Sequence, residues 1–105
     1  MAKKLLLFIF LCLTTAVFSQ EPLQKLAAAP NPFYTSTTIS FNATSKQPVF
    51  LVIKNILGKT VYKKMHTTEI GKNEILFNRD HLQAGIYIYA IRSRTKVVSK
   101  RFIIK

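Results

Sequence analysis

An all-β sandwich of six to seven short antiparallel strands is the fold that the sequence predicts. Three observations predict it. Runs rich in β-branched and aromatic residues recur about every 8–12 residues, bounded by Gly, Pro, Asn and Ser. No stretch after the first twenty residues carries the 3.6-residue apolar period of a helix. The chain has 105 residues and is 49% hydrophobic, which leaves room for one domain and is too apolar for a disordered basic tail.

The first segment stands outside the sandwich. Met1-Ala2-Lys3-Lys4 is a short cationic start, and Leu5 to Leu13 is apolar without a break. Val17 and Ser19 supply small residues before the polar Gln20-Glu21-Pro22. These are the n-region, h-region and cleavage site of a secretory signal peptide over residues 1–19, cut between Ser19 and Gln20. The h-region is shorter than the roughly 20 apolar residues a bilayer span needs, and no later segment is longer. After leader removal no transmembrane segment is expected. Cys12, the single cysteine, goes with the leader. An exported domain without disulfides depends on its core alone.

Residues 20–29 read as a short tether. It ends at Pro30-Asn31-Pro32-Phe33, where two prolines hold the chain extended and deny a helix. Thr35 to Asn42 follows as a strand, with Thr37, Ile39 and Phe41 on one face. Val49 to Lys54 is a continuous apolar run whose length and β-branching argue strand over helix. Asn55-Ile56-Leu57-Gly58 is a turn, its glycine free to take positive φ. Lys59 to His66 resumes an extended pattern.

A second glycine turn at Gly71 leads into Glu74 to Asn78, where Ile75 and Phe77 oppose Leu76. Asp80 to Gln83 is a turn, with Leu82 pointing back as an apolar plug. Gly85 to Ile91 has Tyr87, Tyr89 and Ile91 on one face and Ile86, Ile88 and Ala90 on the other. Both faces are apolar, which places this strand centrally, covered on both sides or against a second sheet. Arg92 to Lys96 is a charged hairpin turn before the last strand, Val97 to Ile104.

Catalytic vocabulary is sparse. His66 and His81 lie far apart in sequence, and no HExxH or His-x-His spacing occurs. Glu21, Glu69, Glu74 and Asp80 are scattered. There is no nucleophile elbow, Walker loop or GxGxxG. No enzyme, cofactor, metal or small-molecule substrate is expected. Sixteen Lys and Arg against four Asp and Glu give a formal charge of +12, and removing Lys3 and Lys4 brings this to +10. Alternation puts many of these charges on outward positions, where they serve solubility and blunt sheet edges, and an exported chain meets little nucleic acid. No nucleic-acid partner is expected. A competing reading is a free-standing secreted module that binds a glycan or anionic surface polymer, with Tyr34, Phe50 or Tyr62 as a sugar platform.

Three motifs, in order, resemble the C-terminal sorting domain of the type IX secretion system, type A (the Por secretion tail family). The first is Pro30-Asn31-Pro32-Phe33 leading into Thr38-Ile39-Ser40-Phe41. The second is the apolar run Val49 to Ile53, then Asn55-Ile56-Leu57-Gly58-Lys59-Thr60-Val61. The third is Leu82-Gln83-Ala84-Gly85-Ile86-Tyr87, an apolar strand, and Lys100-Arg101-Phe102-Ile103-Ile104-Lys105. The resemblance covers roughly residues 26–105.

It implies a small Ig-like sandwich over 30–105 that catalyses nothing. It further implies Sec export through the periplasm, recognition by the outer-membrane type IX translocon, and removal by a sortase that can attach cargo to anionic lipopolysaccharide. Delivery is then to the cell surface or the medium. The sorting residues carried over are Pro30, Asn31, Pro32, Gly58, Lys59, Val61, Leu82, Gly85, Tyr87, Lys100, Phe102, Ile103, Ile104 and Lys105. The last strand is expected to be an open edge for β-augmentation by a receptor.

Overall fold

The computed structural model describes residues 22–105. The leader and the Ser19–Gln20 cleavage site lie outside the described residues. Seven strands run in chain order: β1 (Leu23–Ala29), β2 (Ser36–Ala43), β3 (Pro48–Asn55), β4 (Thr60–Thr67), β5 (Gly71–Asn78), β6 (Gly85–Arg92) and β7 (Val97–Ile104). They form a three-stranded sheet, β1-β2-β5, and a four-stranded sheet, β4-β3-β6-β7. Every pairing is antiparallel. The chain changes sheet after β2, β4 and β5, so two sheets pack face to face as a small Ig-like sandwich.

Alternation decides which side chains enter the core. In β2, Thr37, Ile39, Phe41 and Ala43 are buried while their neighbours are not. Val49, Leu51 and Ile53 of β3 and Tyr87, Tyr89 and Ile91 of β6 face them from the other sheet. Phe102 of β7 is fully buried and sits at the centre of an aromatic group. Its ring stacks on Tyr89 at 5.1 Å and on Phe77 at 5.7 Å, and meets Phe33 edge-on at 5.1 Å. Such offset and edge contacts add to burial rather than replace it.

Residues 23–29, expected as tether, are a strand of the sandwich. Leu23 and Leu26 are buried, and β1 pairs with β2 from Leu23↔Ala43 to Ala29↔Thr38. The register shifts between Gln24 and Ala27, and Lys25 takes φ 57°. This bulge puts two leucines three apart on one face, where strict alternation forbids it.

β6 is central in its sheet, and of the two arrangements expected for it the structure shows packing against a second sheet. Ile86 and Ile88 are 43% and 38% exposed, so only the tyrosine face of this strand is covered. At the edge, β4 carries Lys64 opposite the core residue Leu51, on the inward side. The smaller sheet does not reach over it and Lys64 is exposed. An inward-pointing charge on an edge strand discourages pairing with another chain.

Candidate functional site

Pro30-Asn31-Pro32-Phe33 leaves β1, crosses to the other sheet and returns to β2. Both Ala29–Pro30 and Asn31–Pro32 are cis. The carboxamide of Asn31 lies along the outer edge of β7 and behaves as a peptide group. Its Oδ1 accepts the Ile103 amide at 3.0 Å, and its Nδ2 donates to the Arg101 carbonyl at 3.2 Å. Two residues on, the Phe33 amide donates to the Ile103 carbonyl at 3.0 Å, and the Phe33 carbonyl accepts the Lys105 amide at 2.8 Å. Phe33 and Ile104 thus form a parallel bridge. Thr37 Oγ1 donates to the Pro30 carbonyl at 2.6 Å and ties the same segment to β2.

The expected open edge on β7 is therefore occupied along residues 101–105. Backbone edge groups prefer partners to isolation, and this chain supplies its own from seventy residues away.

Arg79 holds the next corner. Its Nε and Nη2 donate to the Leu82 carbonyl at 3.1 and 2.9 Å. Its Nη1 donates to the Tyr34 carbonyl at 2.9 Å and to the main-chain oxygen of Lys105. One planar guanidinium thereby joins the loop before β2, the loop before β6 and the end of β7, a geometry that suits arginine's fixed fork. The loop is also held by the Leu82 amide on the Arg79 carbonyl at 2.9 Å and by Tyr87 Oη on the Gln83 carbonyl at 2.8 Å. Leu82 is half-buried against the core, as its role of plug requires. Sequence reasoning missed Arg79: an arginine in a polar turn carries no local mark of two distant partners, Tyr34 and Lys105.

The β3–β4 hairpin is built on Asn55. Its Oδ1 accepts the amides of Leu57 and Lys59, both at 3.0 Å. Its main chain accepts the Gly58 amide at 2.9 Å and donates to the Lys59 carbonyl at 2.9 Å. Gly58 takes φ +87°, a conformation that a Cβ disfavours. The tip presents Ile56 and Leu57 to solvent.

Register brings these three motifs to one end of the sandwich. Asn55 pairs with Tyr87, Tyr87 with Phe102, and Gly85 with Ile104. On the other sheet Asn78 pairs with Ser36, the residue that ends the Pro-Asn-Pro-Phe connection. Pro30, Asn31, Pro32, Gly58, Lys59, Ile103 and Lys105 are exposed there. Phe102, Ile104 and Tyr87 are buried beneath them, and Val61 and Gly85 are half-buried. Lys100 is the outlier: it pairs with Tyr89, further along β7, and stands apart from this end.

Among the described residues no group of three His, Cys, Asp or Glu side chains is placed to hold a metal ion. Burial raises the Tyr89 hydroxyl above its ordinary value of 10.0. The aromatics proposed as a sugar platform are not brought together. Tyr62 packs edge-on against Phe77 at 5.1 Å, Phe50 lies under Lys63, and Tyr34 sits beside Lys105.

Comparison with known proteins gives a direct answer for the family. A search of curated proteins finds no match. The family model described as "Secretion system C-terminal sorting domain" matches residues 27–105, which spans all three motifs and every strand from β2 onward. This is a family of sorting signals and not of catalysts, whose presence marks a chain for export to the cell surface or for secretion. The chain belongs to the C-terminal sorting domains of the type IX secretion system.

Proposed function

We propose that residues 22–105 form a non-catalytic address read by the outer-membrane type IX translocon, and that the motif-bearing end of the sandwich is the part that is read. Sec export behind the leader 1–19, cut between Ser19 and Gln20, brings the chain to the periplasm. The translocon then passes it to the surface or the medium, where a sortase removes the domain and can join cargo to anionic lipopolysaccharide. One observation carries the reading. Motifs scattered over residues 30–105 meet at one end, held by Asn31 on β7 and by Arg79 on two loops and the end of β7. A rigid exposed surface of this kind limits the ordering cost of recognition.

The test fuses residues 22–105, behind a Sec leader, to a reporter that stays periplasmic on its own. In a host with the translocon the fusion reaches the medium or the cell surface. In the same host lacking the translocon it stays in the periplasm. Retention in both hosts overturns the reading.

A further inference from the structure

The four-stranded sheet contains six basic and no acidic residues: Lys54, Lys63, Lys64, Arg92, Lys100 and Arg101. Four of these share its outer face, one per strand. Arg92 pairs with Phe50, Lys63 with Val52, and both Lys54 and Arg101 with Ile88. All four are exposed. Ile88 lies between Lys54 and Arg101, and Ile86 and Ile103 lie beside that row toward the motif-bearing end; the three are 38–43% exposed and uncovered by any other element. Two of the cations, Lys63 and Arg92, approach the same ring of Phe50, at 4.6 and 5.8 Å. Neither ion pair among the described residues, Lys72–Glu74 or Asp80–His81, touches this face. A shallow depression of about 300 Å³ between Asn31, Ile86, Arg101 and Ile103 joins the face to the motif-bearing end.

We infer that this outer face docks an acidic protein surface with carboxylates set among aliphatic side chains, such as a component of the secretion apparatus. The inference rests on the sorting reading and names the surface that the partner covers. Charge complementarity fixes the sign of the partner, since four cations without a counter-charge favour an acidic face. The interleaving fixes its class. A membrane-binding face sets its apolar side chains to dip below the headgroups while cations stay at their level. Here the three isoleucines are less than half exposed and Lys63 and Arg92 are held down over the Phe50 ring, so cations and aliphatics lie together on the sheet, where a protein face can match them. Four strands about 4.8 Å apart and eight residues of about 3.4 Å give a face of roughly 500 Å² in projection, the scale of a transient contact. A signal that must be released after transport suits such a contact.

The test uses the reporter fusion in the translocon-bearing host. A photo-crosslinking amino acid replaces Ile88 in the fusion, with and without the exposed pair Lys54→Glu/Arg101→Glu. Lys46→Glu/Arg94→Glu makes the same change in net charge outside the face. The expected result is a light-dependent adduct with a protein whose surface is acidic, lost in the Lys54/Arg101 variant and kept in the control. Export of the Lys54/Arg101 variant falls about tenfold, while purified protein melts within a few degrees of the original. No protein adduct at position 88 with export intact overturns the inference and leaves the sorting reading standing. Equal export of both double variants does the same. Charge-dependent binding of the purified domain to phosphatidylglycerol vesicles, with a lipid adduct at position 88, replaces the protein partner by a membrane. If the unmodified fusion stays in the periplasm, the sorting reading falls and this inference with it.

Discussion

The side chain of Asn31 stands in for a strand residue opposite Ile103: its oxygen takes the Ile103 amide at 3.0 Å and its nitrogen reaches the Arg101 carbonyl at 3.2 Å. An asparagine between two prolines is suited to this. The prolines lack amides and hold the backbone extended, so the carboxamide makes the pairing. Asn31→Ala removes both bonds and is expected to cost about 1–2 kcal/mol. Hydrogen exchange at the Ile103 amide should accelerate more than at the Phe102 amide, which faces β6. Unchanged exchange at Ile103 would show that the pairing contributes nothing in solution.

Arg79 is expected to be irreplaceable by lysine. An ammonium cannot span the Leu82, Tyr34 and Lys105 oxygens in the geometry of a guanidinium. Arg79→Lys and Arg79→Ala should each lower stability by about 2 kcal/mol, measured by urea unfolding. A lysine variant as stable as the original would mean that only the positive charge matters.

Gly58 separates backbone strain from steric crowding. A Cβ built there meets no atom within 4 Å, yet φ is +87°. Gly58→Val is therefore expected to cost about 1–2 kcal/mol through conformation alone, and Gly58→Asn less, because asparagine tolerates this region better. Equal midpoints for the two variants would refute that account.

Tyr89 is expected to weaken the fold at alkaline pH. Its folded pKa lies above the unfolded value of 10.0 because burial penalises the anion. The folded state then holds its proton where the unfolded state has begun to release it, so stability falls as pH rises past about 10 and is unaffected below. Tyr89→Phe should flatten that decline in thermal melts taken across the alkaline range. A decline of the same slope in the variant would assign it to other groups.

Most strands were legible because they alternate. β7 runs over the expected Val97 to Ile104, and Ile39, Phe41 and Phe77 face the core as their spacing requires. β1 was not legible, because its bulge sets Leu23 and Leu26 three apart and the rest of the segment is alanine, lysine and glutamine. Apolar residues on both sides of β6 left open whether it is covered on both faces or packs on one second sheet, and the structure shows the latter. The motifs themselves were readable one at a time. Their meeting at one end was not, because it follows from pairing between residues as distant as Asn31 and Ile103. The same distance hid Arg79 and reversed the expectation for the edge of β7.

That pairing also sets an order of events for the nascent chain. The segment 30–33 is tied to β2 by Thr37, but its β7 partners exist only once residues 101–105 do, and Phe102 at the aromatic centre arrives equally late. Contacts of such separation form late and slowly. A domain whose first loop is fastened by its last strand can close that corner only when nearly all of it has been synthesised.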